Sequence, residues 1–344
     1  DNQPIENAEI FFDLGMTNSS TSDASGNFSY DVLPGSEVYV RPAKFINNVN
    51  TNGVTTLDIA MIRRHILSIN PFDNPYKLIA SDVDKSGHVS VMDIPEIRRV
   101  ILGLQNDFSS LLWKFVPQSL TFANPNNPFP YDTLVHISSA VPTNDLNFYA
   151  VKLGDVNDTW DSSIGRKLES EPMQIIVEEP AWKEDGNLKI ALLSKNFNEI
   201  LGYQFTVKFD PTELQFKGLA ENPYNIHYSA HKADQGYVTF SWDNPVGKAL
   251  EFLDETQLLS LLFFSINGEN IVPELQINSD ITLAVGYDGD LNERVIQQWK
   301  EEIVTGTEIF PSEIIVKQNY PNPFHSGTTL QFELPRGADV SIRI

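Results

Sequence analysis

Two hydrophobic periods divide this chain. In its early part, apolar residues recur at steps of three and four: Ile59, Ile62, Ile66 and Ile69, then Ile94, Ile97, Ile101 and Leu104. Such steps place each set on one face of a helix. From about residue 173 to 300 the period falls to two. Tyr203, Phe205, Val207 and Phe209 alternate with Gln204, Thr206 and Lys208, and Leu188, Ile190 and Leu192 behave alike. A half-buried strand shows this alternation. The apolar run from Gln257 to Ile266 fits a strand buried on both faces. Strands separated by turn signals predict a sandwich here. Before the helices, Thr21 to Tyr30 holds a turn, Asp23-Ala24-Ser25-Gly26-Asn27, followed by alternation, and Leu33-Pro34-Gly35 starts a further hairpin. After them, Trp113–Pro117 and Phe148–Leu153 read as strands around a Pro- and Asn-rich loop at 123–132. Polar stretches at 166–172 and 301–312 read as linkers.

The two helices are copies. Leu57-Asp58-Ile59-Ala60-Met61-Ile62-Arg63-Arg64-His65-Ile66-Leu67 matches Met92-Asp93-Ile94-Pro95-Glu96-Ile97-Arg98-Arg99-Val100-Ile101-Leu102 at a constant offset. Pro95 falls in the first turn, where its missing N–H costs little. The isoleucine faces can pack together, leaving Arg63, Arg64, Arg98 and Arg99 outward. On an acidic protein these arginines are candidate partner contacts, suited to carboxylates. A solvated helix face is the alternative reading.

A loop precedes each copy. Residues 82–93, Asp-Val-Asp-Lys-Ser-Gly-His-Val-Ser-Val-Met-Asp, put oxygen-bearing side chains at positions 1, 3, 5, 9 and 12, with Gly at 6. That is the spacing of an EF-hand calcium loop. Calcium takes six to eight oxygens, and alternate residues can converge on one point. Asp82, Asp84, Ser86, Ser90 and Asp93 would supply side-chain oxygens, Ser90 through a water, and His88 its backbone carbonyl. Gly87 permits the sharp turn. The bland alternative is a polar turn before a helix capped by Asp93. The first loop offers a second, weaker metal site: Asn48, Asn50, Asn52, Val54 and Asp58. It is one residue short between Gly53 and Asp58, and only Asp58 carries charge. Affinity rises with ligand charge, so this site should be weak or replaced by hydrogen bonds. Gly154-Asp155-Val156-Asn157-Asp158 mimics the start of another calcium loop. No Gly follows at the turn position, which favours a plain turn over an extra metal ligand.

Residues 46–106 resemble a type I dockerin, a calcium-dependent module that plugs into cohesin domains. The resemblance is strong in the second repeat and looser in the first. Gly202 to Phe216, with Phe240-Ser241-Trp242 and Leu258 to Ile266 in plausible order, resembles cohesin domains and their carbohydrate-binding relatives, covering 173–300. Residues 1–45 resemble part of a carboxypeptidase-regulatory or Cna-B-like module, an Ig-like, prealbumin-like β-sandwich that commonly serves as a spacer. Gln318-Asn319-Tyr320-Pro321-Asn322-Pro323-Phe324 and the strands after it resemble the opening of a type IX secretion C-terminal sorting domain, truncated, at 313–344. The fold expected is therefore mainly β and multidomain. It comprises a partial β-sandwich at 1–45, a small α dockerin-like EF-hand pair at 46–106 and a β-rich connecting segment at 107–165. A cohesin-like β-sandwich at 173–300 and a partial C-terminal β-sandwich follow. The sorting-domain resemblance implies a Bacteroidetes-type bacterium, passage across the outer membrane, and an extracellular or outer-surface product. Asp132-Thr133-Leu134 resembles the short O-glycosylation motif of the same group.

Composition narrows the function. At 344 residues the chain is too long for one average domain. Its net charge of −22 argues against a phosphate-binding surface, and so against nucleic acid. There is no cysteine, hence no disulfide or thiol chemistry. No apolar run is long enough for a membrane helix, and no signal peptide opens the sequence. The chain opens and closes within strand-like sequence and is expected to be a piece of a longer precursor. No Gly-x-Ser-x-Gly elbow, P-loop or dinucleotide fingerprint occurs. His227 and His231 are four apart, but in a β-rich stretch, and two such ligands need a helix. Trp160, Trp182, Trp242 and Trp299 could form a sugar platform, although packing accounts for them better. The chain is not expected to be an enzyme. It reads as a non-catalytic, calcium-stabilised structural or adhesive surface protein, with Ca2+ as its ion. Its partners would be cohesin- or dockerin-like modules within or between chains, with head-to-tail filaments as one outcome and cell-surface glycans as another partner class. The alternative is the accessory, anchoring or carbohydrate-binding region of a large secreted hydrolase.

Overall fold

The computed structural model describes residues 3–13, 15–45, 51–105, 108, 112–141, 146–160, 171–183, 186–268 and 273–299, and the strand residues 315–316 and 332–333. The chain divides into two compact units, Asp1–Trp299 and Lys300–Ile344.

The first unit begins with three strands, β1 (Glu9–Phe11), β2 (Ser19–Thr21) and β3 (Val38–Ala43). Three helices follow, α1 (Thr56–Ile66), α2 (Pro75–Ser81) and α3 (Asp93–Ile101), and then β4 (Trp113–Pro117), β5 (Val135–Ile137) and β6 (Phe148–Lys152). The first sheet runs β2-β1-β3-β5, while β4 and β6 pair separately, antiparallel. The 107–165 segment therefore completes the sheet begun by residues 1–45. One hydrophobic core runs through all of it, from Ala8 and Val40 through Ile59, Ile62 and Ile97 to Val116, Leu153 and Val156.

Two local expectations meet corrections, and one helix had no forerunner in the sequence reading. The alternation after Gly26 forms no strand; the chain stays irregular until Val38, and Leu33 is 78% exposed. A two-residue-period pattern without a pairing edge is not sufficient for a strand. Ile69 and Leu104 lie beyond their helices and are exposed, so each helical apolar face ends one turn earlier than its spacing implies. Helix α2 was not anticipated at all. Asn74 caps it, its Oδ1 accepting from Tyr76 N at 2.8 Å, and Pro75 is its first residue.

The second half of the unit is an eleven-stranded sheet curled around one core. Its strands are β7 (Met173–Val177), β8 (Ala181–Trp182), β9 (Asn187–Lys195), β10 (Ile200–Lys208), β11 (Leu214–Glu221) and β12 (His227–Ser229). They continue as β13 (Tyr237–Asp243), β14 (Gln257–Ser265), β15 (Gln276–Asn278), β16 (Val285–Asp288) and β17 (Glu293–Gln298). The main order is β11-β14-β9-β7-β17-β16-β10-β13-β12, antiparallel except for the parallel pair β7 and β17. Leu188, Ile190 and Leu192 of β9 share a core with Tyr203, Phe205 and Val207 of β10, so the sheet forms a sandwich.

The polar alternates of β10 depart from expectation. Gln204 and Thr206 are 2% and 0% exposed. Their face is not solvated, because α1 packs across β10 and β13. In the second unit, β18 (Ile315–Val316) pairs antiparallel with β19 (Phe332–Glu333). The Tyr320-Pro321-Asn322-Pro323-Phe324 motif lies outside the described residues.

Candidate functional site

Two features carry the functional argument: the seam between helices and sandwich, and the loop before α3.

The seam is polar at its centre. Thr56, the first residue of α1, donates from N and from Oγ1 to Gln204 Oε1, at 2.7 and 2.8 Å. Its Oγ1 also lies 2.9 Å from Ser241 Oγ. Arg98 Nη1 donates to that same Ser241 Oγ at 3.0 Å. With Thr56 already donating to Gln204, donors run in one direction: Arg98 to Ser241 to Thr56 to Gln204. Gly202 makes room for this approach, since a Cβ there would meet Thr56 Cγ2 at 2.9 Å. Beside the chain of donors, Arg98 Nη2 bonds Asp243 Oδ1 and Arg63 Nε bonds Asp243 Oδ2. The Asp243 side chain is 2% exposed and that of Arg98 7%. Burial works to raise the Asp243 pKa, but the charges and hydrogen bonds of Arg98 and Arg63 outweigh it and hold the carboxyl below its usual range.

The end of α3 is fastened too. Thr282 Oγ1 donates to Ile101 O at 2.6 Å and Thr239 Oγ1 to Leu102 O at 2.8 Å. These carbonyls have no partner within the helix, so the sandwich satisfies them. Arg64 Nη1 donates to Gly289 O at 3.4 Å. Leu57 packs with Val285 and Tyr287, flanked by Met61 and Leu291. Arg99 does otherwise: its Nη1 pairs with Glu96 at 3.1 Å, and its side chain is 57% exposed. Of the four candidate arginines, then, Arg63, Arg64 and Arg98 face the sandwich of their own chain.

In the loop 82–93 the carboxylates converge. Among the described residues, Asp82, Asp84 and Asp93 each bring an oxygen within 4.8 Å of the others. Ser86 Oγ donates to His88 O at 3.0 Å and to Asp82 Oδ1 at 3.4 Å. Gly87 N donates to Asp82 Oδ2 at 3.1 Å. Asp93 accepts from Ser90 N at 2.8 Å and from Asp84 N at 3.2 Å. Ser90 Oγ accepts from Met92 N at 3.1 Å, which ties it to the start of α3. Burial raises Asp93 to about 6 and also raises Asp82. Burial pushes Asp84 the same way, but hydrogen bonds from Ser86 and from its two neighbours bring it net lower. Three carboxylates, a hydroxyl and a carbonyl around one point match the donor set of a hard cation. Those residues could hold a calcium ion, whose charge would offset the mutual repulsion of the carboxylates.

The first loop differs. Asn48 and Asn50 lie outside the described residues. The Asn52 carbonyl accepts a hydrogen bond from Lys152 Nζ. Val54 is buried and its N–H closes a turn on Thr51 O at 2.9 Å. Asp58 is fully buried; it accepts from Thr55 N and, across the chain, from Val156 N, both at 2.8 Å. With Thr55 Oγ1 accepting from Leu57 N at 3.3 Å, Asp58 completes a capping box on α1.

The other sequence candidates are scattered. His227 lies on β12 and His231 beyond it, without the helix that a paired metal site requires. Trp242 is buried, donating to Tyr224 O at 3.0 Å, Trp160 packs edge-on against Trp113, and Trp299 lies under Lys195. They form no common platform. The residues that sequence reasoning missed are Thr56, Gln204, Thr239, Ser241, Asp243 and Thr282. For Gln204, Thr239, Ser241 and Asp243 the one signal was polar alternation along β10 and β13, which reads equally well as a solvated face; Thr56 and Thr282 had none.

No family model matches the chain, and no curated protein matches it. Solved structures do. A type I cohesin–dockerin complex from Clostridium thermocellum is 13% identical over 37% of this chain and 94% of that one, with a TM-score of 0.31. A type I cohesin from Pseudobacteroides cellulosolvens is 15% identical over 37% and 86%, TM-score 0.30. A type II cohesin module from Acetivibrio cellulolyticus is 13% identical over 39% and 96%, TM-score 0.28. Among the described residues no helix is long and apolar enough to cross a membrane.

Proposed function

We propose that this chain is a non-catalytic, calcium-stabilised structural or adhesive module of an exported surface protein. In it, a dockerin-like helical pair is seated on a cohesin-like sandwich of the same chain. The observation that carries the reading is Asp243. One buried carboxylate receives the matching arginines of both helical repeats, Arg63 and Arg98. A buried charge needs partners with good geometry, and here the partners come from the two copies of one motif. The seam is thus a binding interface closed within one molecule. It stiffens the chain between its first sheet and its sandwich, as a spacer or stalk requires. Calcium at Asp82, Asp84 and Asp93 would hold α3 in the pose that presents Arg98. The sorting-domain resemblance at 313–344 supports type IX export and an extracellular location.

The test uses the whole chain. Asp243→Arg places three like charges at the seam. Small-angle scattering in saturating calcium should then show a larger radius of gyration and domain separation, while the parent stays compact and monomeric at high micromolar concentration. An unchanged scattering profile for the variant would remove the internal interface. Concentration-dependent growth of the parent would assign the same contacts to neighbouring chains, and so to filaments.

A further inference from the structure

We propose that the cleft between α2 and the paired strands β4 and β6 is a carbohydrate-binding site that takes neutral pyranose units of a glycan. It shares no residue with the seam at Asp243, so it stands whether or not the seam closes within one chain.

The cleft has a volume of about 420 Å³, inside the ~300–1,000 Å³ usual for small-molecule sites. Two aromatic pairs line it. Tyr76 of α2 meets Tyr149 of β6 with ring centroids 5.1 Å apart and planes at 60°. Trp113 of β4 meets Trp160 at 5.0 Å and 89°. Trp113 is buried, Tyr76 and Trp160 are half-buried, and Tyr149 is 38% exposed. The fold itself holds these rings. Tyr149 Oη accepts from Gln118 Nε2 at 3.0 Å, and Trp160 N donates to Asp155 Oδ2 at 2.8 Å. Gly53 lies so close to the Trp160 backbone that a Cβ there would meet its N at 2.7 Å. Rigid, amphipathic rings give contact area at little entropic cost. Of the four tryptophans that the sequence offered for a sugar platform, Trp160 is the one placed here, and Trp113 is its companion.

Polar groups that donate and polar groups that accept complete the lining. The Asn74 amide oxygen is committed to Tyr76 N at 2.8 Å, which leaves the amide NH2 to donate. Lys77 and Lys152 bring ammonium groups, Asp155 and Asp158 carboxylates. Each Asp155 oxygen accepts one backbone N–H, from Thr159 at 2.9 Å and from Trp160, and keeps a lone pair for another donor.

Charge decides the ligand class. The lining holds two lysines and two aspartates, which cancel, on a chain whose net charge is −22. A second cleft of about 320 Å³ shares Gln3, Ile5, Tyr149 and Ala150 with the first. Its lining has rings, Phe28 and Phe148 among them, and amides, Gln118 and Asn147, but no charged residue. A strongly charged ligand would meet no net counter-charge in either cleft. A purely apolar one would leave the amide, ammonium and carboxylate groups unpaired. A pyranose has C–H faces for the rings and rim hydroxyls that both donate and accept, so it answers both halves of the lining. The shared residues let a run of such units pass from one cleft to the next.

Isothermal titration of the intact chain in saturating calcium against cellohexaose, xylohexaose, mannohexaose and chitohexaose tests the inference, with tryptophan fluorescence as a second readout. At least one of these sugars is expected to bind with a millimolar or lower Kd and to shift the fluorescence, and anionic hexagalacturonate to bind more weakly. Tyr149→Ala, at the exposed ring, should weaken binding roughly 2- to 10-fold, which is what one ring contact is worth, and leave the melting temperature unchanged. Trp160→Ala should weaken binding further and remove most of the fluorescence shift. Trp182→Phe, in the sandwich, should change neither. No binding of any of the neutral sugars at millimolar concentration overturns the proposal. Binding that survives both Tyr149→Ala and Trp160→Ala puts the sugar elsewhere and overturns it too. Preference for hexagalacturonate overturns the assignment to a neutral ligand.

Discussion

Arg63 and Arg98 occupy matching positions in the two helical repeats, and both reach Asp243. Arg64 and Arg99 match as well, yet Arg64 touches the sandwich and Arg99 lies in solvent. The start of α1 is buried at Thr56 and Leu57; their counterparts before α3, Val91 and Met92, are 59% and 64% exposed. The ends reverse the pattern, for Leu102 is 5% exposed and Leu67 47%. The sandwich thus buries the beginning of α1 and takes up the arginines of its last turn, whereas on α3 it covers Arg98 and the helix end and leaves the beginning exposed. Near-identical repeats acquire different roles from where one partner surface falls across their shared axis. Inner and outer faces of such a pair cannot be assigned from one repeat alone.

The strongest way to break this comparison is to remove the carboxylate the repeats share. Asp243→Ala leaves two arginines facing a dry seam. Loss of one partner from a buried pair typically costs about 3–5 kcal/mol, and chemical denaturation in saturating calcium should register a loss of that order. The repeats can then be weighed separately. Arg98→Met should cost more than Arg63→Met, because the Arg98 side chain is 7% exposed against 20% and also holds Ser241. Arg99→Met should stay within about 0.5 kcal/mol, as an exposed pair does. Equal effects from all three would mean the seam does not distinguish the repeats.

Calcium removal comes next. A ligand present at a hundred times its Kd stabilises by about 2.7 kcal/mol. Chelation should lower the melting of the helical pair by an amount of that order, and Asp93→Ala should reproduce it. Hydrogen exchange locates the effect: amides of α2 and α3 should lose protection, while β9 and β14, in the far half of the sandwich, should keep theirs. Uniform loss of protection across the sandwich would show that calcium acts on the whole unit.

Much of this was legible beforehand. Isoleucine spacing marked α1 and α3, and the Asp-x-Asp-x-Ser-Gly run marked the loop whose carboxylates do converge. Alternation marked β9 and β10, and Phe240-Ser241-Trp242 of β13 entered through the cohesin resemblance. What the sequence hid was the occupant of each outer face. Gln204, Ser241 and Asp243 look like solvated alternates until a helix covers them, because periodicity reports which residues share a face and not what lies against it. Helix α2 escaped because seven residues give too few turns for a period to emerge.

The finest contrast sets Thr56 against Val91. The hydroxyl of Thr56 links Gln204 to Ser241 in a site with no exposure. Thr56→Val keeps the shape and the N–H bond to Gln204 but strands one hydroxyl partner, so a loss of about 1 kcal/mol is expected. Val91→Thr, the reciprocal change in the exposed repeat, should fall within about 0.5 kcal/mol of zero. Acid separates the two further. Asp243 has a folded pKa below its ordinary value of 3.8, so its stabilisation is complete above that value and is lost as pH falls through the lowered one. Between those limits the parent and Val91→Thr should lose stability along the same slope, and Asp243→Asn should lack that component of it. A parent curve no steeper than that of Asp243→Asn below pH 3.8 would mean that Asp243 is not held ionised by the two arginines, and the shared anchor of the repeats would have to be sought in Ser241, which meets Thr56 of one and Arg98 of the other.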